Sequence, residues 1–269
     1  MSAIDRPLHH PDRTLTGFQP VKAITHFRKL IANKEDTEQV FHIIEALKGR
    51  KSARQAARFV QSPEGQALLR EDRDLPAMLD NHANWADMAE HSVAQHYVRF
   101  MKREGLTAQG LVEESYKWLS KDDRPSDLYE WYFERLRDMH DLFHVLSGYG
   151  RDALGELCLL GFSYAQNHNR GVLFIAYAGA RQLKKDSGSA APVFAAVREG
   201  QRLGAAAAKL AHQDVEQLLA LPLEEAREQL GIGEPVLYRQ CLETFRAEGL
   251  STQDPGNLPA QTQQECCPA

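Results

Sequence analysis

Residues 139–156 read Met139-His140-Asp141-Leu142-Phe143-His144-Val145-Leu146-Ser147-Gly148-Tyr149-Gly150-Arg151-Asp152-Ala153-Leu154-Gly155-Glu156 and set His140, Asp141, His144 and Glu156 within eighteen positions. If Asp127 to Ser147 forms one helix, His140 and His144 stand four residues apart and share a face, one turn above the other. Two imidazoles so placed reach one ion. Asp141, three residues before His144, borders that face and either binds the ion or orients a ligand from behind it. Glu156 needs a turn, because on one straight helix it would lie about 18 Å beyond His144. Ser147-Gly148-Tyr149-Gly150 supplies that turn, since glycine accepts the left-handed backbone on which helices end. Two adjacent antiparallel helices joined there bring Glu156 over the histidine pair, the geometry of carboxylate sites in helical bundles.

Outward from this stretch the chain reads as one all-α, irregular multi-helix domain over residues 21–249. An irregular arm precedes it at 1–20, and a disordered polar tail follows at 250–269. Upstream, Val21–Ala32 carries Ile24, Phe27, Leu30 and Ile31 at helical spacing. Asp36-x-x-Gln39 and Asp127-x-x-Glu130 read as capping boxes, Ser52-x-x-Gln55 as a further helix start, and Ser62-Pro63 as an N-cap with its first-turn proline. A helix is expected from about Asp87 to Gly105, and Thr107 caps the next. Downstream, 157–165, 172–180 and 203–211 are rich in Ala, Gly and aliphatic residues. Such surfaces either pack helices closely, or wall an apolar tunnel or lie against lipid, to which Phe162, Tyr164, Phe174 and Tyr177 would be suited. Further helices are expected at 221–231 and 235–248. No strand, hairpin or repeat signal competes with them.

Composition narrows the partners. A hydrophobic share of 43%, a charged share of 26% and a net charge of -5 describe a soluble globular chain and disfavour nucleic acid as the main partner. The four cysteines, Cys158, Cys241, Cys266 and Cys267, never adopt C-x-x-C spacing, so a reducing compartment is expected and the terminal pair reads as exposed thiols. The first residues lack the apolar core of a secretion signal, and no run of eighteen apolar residues occurs. The expected location is cytoplasmic, or on a membrane surface without crossing it.

His140-Asp141-x-x-His144 followed after eleven residues by Glu156 resembles the signature of the ubiquinone (coenzyme Q) biosynthesis protein 4 family. The likeness extends over roughly 40–237, through Ser62-Pro63-Glu64-Gly65-Gln66-Ala67-Leu68-Leu69, His96-Tyr97-Val98-Arg99-Phe100-Met101 and Arg135–His144. It departs at Glu90–Gln95. The resemblance implies an all-α fold and a divalent metal, usually zinc, held by His140, Asp141, His144 and Glu156. By ligand type alone, iron, manganese or magnesium remain open. It also implies a polyprenylated hydroxybenzoate-type ring as substrate, and removal of the C1 carboxylate coupled to hydroxylation. The implied setting is the inner membrane face, with other ubiquinone biosynthesis proteins and a homo-oligomeric chain. Arg135, Arg137, Tyr97 and Tyr132 are the candidate substrate anchors. Two other readings stand beside this one. The first is a non-catalytic, lipid-binding organiser of the biosynthetic complex. The second is an HD-type metal phosphohydrolase, which would draw its remaining ligands from His82, His91 or His96 and Asp214.

Overall fold

The structure, a computed structural model, describes residues 3–13, 18–33, 36, 38–48, 50–119 and 124–255. Over these it is all-helical, and its only pairing of β type is an isolated bridge between Ser92 and Pro222. Helices α1 (Pro20–Ala32), α2 (Glu38–Leu47), α3 (Arg50–Val60), α4 (Pro63–Glu71) and the short α5 (Leu75–Asp80) come first. Next are α6 (Val93–Glu104), α7 (Ala108–Trp118), α8 (Leu128–Asp138) and α9 (His140–Ser147). The long α10 (Ala153–Asn167), α11 (Arg170–Ser187) and α12 (Val193–Ala206) form the centre, and α13 (Val215–Ala220), α14 (Leu223–Leu230) and α15 (Val236–Ala247) follow.

Side-chain caps start many of these helices where the sequence places them. Ser62 accepts from the Gly65 N–H at 3.1 Å, Thr107 from Gly110 at 3.0 Å and Asp127 from Glu130 at 2.8 Å. Gly105, Gly148 and Gly231 take positive φ and end α6, α9 and α14.

Three boundaries differ from expectation. The helix expected from Asp87 begins at Val93, because Ser92 caps it through the Gln95 N–H at 3.2 Å, while His82–Trp85 forms a separate 3-10 turn. The single helix expected over Asp127–Ser147 is broken at Met139, which sits at φ -88°, ψ 0°. The break has a packing cause. Leu128, Tyr129 and Tyr132 of α8 are buried with Phe59, Val60 and Leu69, whereas Met139, Leu142, Phe143 and Leu146 enter the central core with Tyr97, Leu154 and Phe162. One straight helix has one apolar stripe, and this segment serves two clusters. Finally, the helix expected to start at Ser52 begins at Arg50, so Ser52 lies inside its first turn and is buried rather than capping it.

The Ala/Gly-rich segments both pack closely and wall a cavity, on different faces. Between α10 and α12 the backbones touch: a Cβ on Gly200 would stand 2.4 Å from Cys158 O, and one on Gly204 would stand 2.3 Å from Phe162 O. On the other side, Leu157, Leu160, Val172, Ile175 and Leu183 join Phe27, Ile44 and Phe133 in lining a cavity of about 1300 Å³. None of Phe162, Tyr164, Phe174 and Tyr177 lines that wall. Phe162 is in the core and Tyr177 donates its hydroxyl to Gln201 at 3.0 Å.

Residues at both ends of the description are tied to the domain. Ala3 N–H donates to Asp72 and Leu128 N–H to Pro7 O, and Ala153 N–H donates to Gln253 O at 2.9 Å. Cys158 and Cys241 are buried, and Cys266 and Cys267 lie outside the described residues. No described helix is long and apolar enough to cross a membrane.

Candidate metal centre

The two histidines come from α9 and the glutamate from the first turn of α10, with a five-residue corner between. Gly148 opens the corner at φ +77° and returns its N–H to His144 O at 2.9 Å. Asp152 then starts α10 by accepting from the Gly155 N–H at 2.9 Å, and its second oxygen takes the Tyr238 hydroxyl. The fold of the corner demands glycine at 155, since a Cβ there would lie 2.1 Å from Gly150 O. Glu156 is thereby delivered to the imidazoles. Its Oε2 is 3.8 Å from His140 Nε2 and its Oε1 3.5 Å from His144 Nε2.

One ligand atom from each of His140, Asp141 and His144 lies within 4.8 Å of the others, and among the described residues no other group of this kind forms. Asp141 is 6% exposed, and the His144 ring is wholly buried, with Phe100 stacked 5.5 Å from it. The orientation of His144 is set from behind: its Nδ1 faces Tyr149 O at 3.0 Å, which assigns the proton to that nitrogen in the neutral ring. The opposite Nε2 is buried and has no hydrogen-bond partner. His82 and His212 also bury an unpartnered Nε2, but His144 alone of the three has a second imidazole and carboxylates beside it, and an imidazole with one nitrogen donating to a carbonyl and the other open toward such groups is the arrangement of a metal ligand. The donor set therefore fits a divalent cation.

Electrostatics within the group point in different directions. Burial alone would raise Glu156, but the two histidines and Arg151, whose Nε is 3.4 Å away, outweigh it and hold the carboxyl well below the usual range. Burial would lower His144, and the close approach of the Glu156 carboxylate to its Nε2, the charge of that carboxylate and the Tyr149 carbonyl instead raise it above an ordinary histidine. His140 is lowered, first by burial and then by its neighbour. Of the two imidazoles, His144 is therefore the one that holds a proton more tightly.

The other candidate residues are placed as follows. Arg137 lines the large cavity, donates to Asp138 and Ser115, and lies over Tyr116. Arg135 is buried and gives Nε to Ala211 O at 2.6 Å and Nη2 to Gln213 O at 2.5 Å. Tyr97 is wholly buried, its hydroxyl has no partner, and burial together with the Asp141 charge raises it. Tyr132 packs on Phe59 in the second cluster. None of His82, His91, His96 and Asp214 joins the metal-capable group. Sequence reasoning did not single out the Tyr149 carbonyl, Phe100, Arg151 or Asp152. Of these only Asp152 carried a signal, as a capping residue ahead of an apolar run.

With this geometry in hand, known proteins can be compared. The family model described as coenzyme Q (ubiquinone) biosynthesis protein Coq4 matches residues 23–236. Proteins named ubiquinone biosynthesis protein coq4, mitochondrial, from two strains of Aspergillus fumigatus are 22% identical over 191 residues, 70% of this chain and 63% of theirs. The protein of the same name from Neosartorya fischeri is 23% identical over 163 residues, 60% of this chain and 53% of its own. The match thus spans less than two thirds of these relatives' length. A crystal structure from Nostoc punctiforme PCC 73102, of a protein named for ubiquinone biosynthesis, aligns with a TM-score of 0.59 at 23% identity. It covers 81% of this chain and 100% of that one, and shows a shared fold.

Proposed function

The chain belongs to the coenzyme Q (ubiquinone) biosynthesis protein Coq4 family, and on that premise we propose that it acts in ubiquinone synthesis on a polyprenylated hydroxybenzoate-type ring. The reaction is metal-dependent removal of the C1 carboxylate as CO2 coupled to oxygen insertion at that carbon from dioxygen; the second oxygen atom leaves as water with two electrons from the hydroxylated ring, which is thereby left at the quinone level. His140, Asp141, His144 and Glu156 hold one divalent ion, zinc first among the candidates. The single observation that carries the metal reading is the buried, unpartnered Nε2 of His144 facing Glu156.

A bound divalent ion supplies Lewis-acid polarisation of the ring's carboxylate or phenolate oxygen. The chain's own residues do the rest. Tyr149 O holds the His144 ring in place, Glu156 stays anionic, and Arg151 neutralises its outer side. Apolar walls from α2, α10 and α11 take the prenyl chain. Of the four anchoring candidates, Arg137 is on the cavity wall and is assigned to the substrate's anionic group. Zinc has no redox change, so an oxidative step requires iron, or a ring that itself carries the electrons.

The test loads the protein with metal, supplies a prenylated 4-hydroxybenzoate, and follows the ring by mass analysis. Loss of the carboxylate and about one bound ion per chain are expected, both abolished in His144→Ala and Glu156→Ala proteins. Restored quinone synthesis in cells with all four ligands replaced would instead assign the chain as an organiser of the complex.

A further inference from the structure

Charge is distributed unevenly along this chain. The whole sequence carries 37 acidic against 32 basic residues, yet two of its first three helices contain no acid at all. On α1, Lys22, Arg28 and Lys29 are exposed, and on α3 so are Arg50, Lys51, Arg54 and Arg58. The start of α3 and the segment entering α1 both reach the α10–α11 turn. There the Lys51 charge acts on His168, and the Arg170 guanidinium lies 5.9 Å from the Phe18 ring centroid. The acids on the intervening α2 are already engaged, Glu38 with His42 at 3.2 Å and Glu45 with Lys48 at 2.5 Å.

Apolar side chains stand in the same region. Phe18, Val21 and Ile24 are 60%, 77% and 45% exposed, and they make up three of the five large hydrophobic residues so exposed among those described. The opposite side of α1 places Phe27, Leu30 and Ile31 on the wall of the large cavity. One helix therefore has a cationic, partly apolar outer face and an inner face lining an apolar chamber. A polyanion that is only hydrophilic would answer the cations and leave the three apolar residues in water; an anionic bilayer answers both.

We propose that the outer face of α1, the Arg170 turn and the exposed side of α3 form a docking surface for an anionic phospholipid bilayer, with Phe18, Val21 and Ile24 entering the headgroup layer. The choice of a lipid surface rests on the reading of the cavity as the chamber for a prenylated substrate. Docked in this way, α1 is the partition between the bilayer and that chamber.

Vesicle co-sedimentation of the full chain tests this without substrate or added metal, so the outcome is independent of the decarboxylation assay. Retention is expected on vesicles containing phosphatidylglycerol, little on phosphatidylcholine alone, and less as salt is raised. Each cation removed should weaken partition about fivefold. Combined Arg28→Glu, Lys29→Glu, Arg54→Glu and Arg58→Glu should therefore cost more than about a hundredfold, with the thermal melt unchanged. Val21→Ser with Ile24→Ser should cost about tenfold, and Arg239→Glu on α15 should cost nothing. Equal retention on neutral vesicles, wild-type retention of the charge-reversed chain, or displacement of the vesicles by an equal charge of duplex oligonucleotide would each overturn the proposal. So would a dimer in sedimentation equilibrium that the serine variant dissociates, since a second copy would then cover this face.

Discussion

Two groups of buried polar side chains flank the segment from Asp127 to Glu156, and they are completed in different ways. At its start, Asp127 receives Arg13 Nε at 2.6 Å and the His10 N–H at 2.8 Å on one oxygen, and Arg13 Nη2 at 2.7 Å and the Glu130 N–H at 2.8 Å on the other. Glu130 in turn takes Arg13 at 2.9 Å and Arg124 at 3.0 Å. Every carboxylate oxygen there has a donor. At the far end, His144 Nε2 has none, and Glu156 approaches both histidines without closing a hydrogen bond to either. The contrast separates a group that holds the fold from one that is built for something else: a saturated set needs no ligand, whereas an open set of nitrogens and carboxylates in the same protein has a coordination shell to offer.

Breaking the closed set should have the largest effect. Asp127→Ala leaves the buried Arg13 with Glu130 as its remaining carboxylate and removes the α8 cap, so a stability loss of roughly 3–4 kcal/mol is expected from the urea midpoint. The open set should respond to metal. At a free zinc concentration a hundredfold above Kd, the wild-type protein should gain about 2.7 kcal/mol, and His144→Ala and Glu156→Ala proteins should gain nothing in the same thermal melt. A gain that survives both substitutions would place the ion elsewhere. Arg135 belongs with the closed groups, and Arg135→Met, which strips the Ala211 and Gln213 carbonyls of their donor, should cost about 2 kcal/mol.

The smallest effect is pH-dependent. Although burial alone would raise Asp127, the Arg13 guanidinium and the His10 and Glu130 N–H groups hold its folded value below the ordinary 3.8. A depressed carboxylate contributes stability that is complete above its unfolded value and disappears as pH falls through the folded one. The stability gap between wild type and Asp127→Asn, which keeps a capping side chain, should stay constant from neutral pH to about 4 and close below that. A gap that widens in acid would reverse the assignment.

Local chemistry explains which features were legible in the sequence. Ser62, Thr107, Asp127, Gly105, Gly148 and Gly231 act within a turn of themselves, and each marks the boundary its residue type announces. Ser92-x-x-Gln95 is equally local and was readable as a cap, but the apolar pattern further upstream obscured it. The break at Met139 was not legible, because methionine carries no helix-stop signal and the cause is the presence of two separate cores. For the site, the i, i+4 histidines and the need for a turn before Glu156 follow from helix geometry alone. What positions His144 is a backbone carbonyl at Tyr149, and no residue type encodes where a carbonyl points. Arg135 shows the same limit from the other side: its partners are carbonyls 76 and 78 residues away, so proximity to the histidines in sequence did not describe its contacts.

The Arg13–Asp127 pair also sets an order of events in the cell. Its members are 114 residues apart, so the arm emerges from the ribosome well before its anchor exists. At roughly 5–20 residues per second, that interval is about 6–23 s. During it Arg13 has neither Asp127 nor Glu130 to meet, and the chamber walls from Leu157 to Leu183 have yet to be made. The apolar side chains of α1 and α2 that line the chamber, Phe27, Leu30, Val40 and Ile44, thus wait uncovered until α10 and α11 have also emerged, and a chaperone has that window in which to meet them.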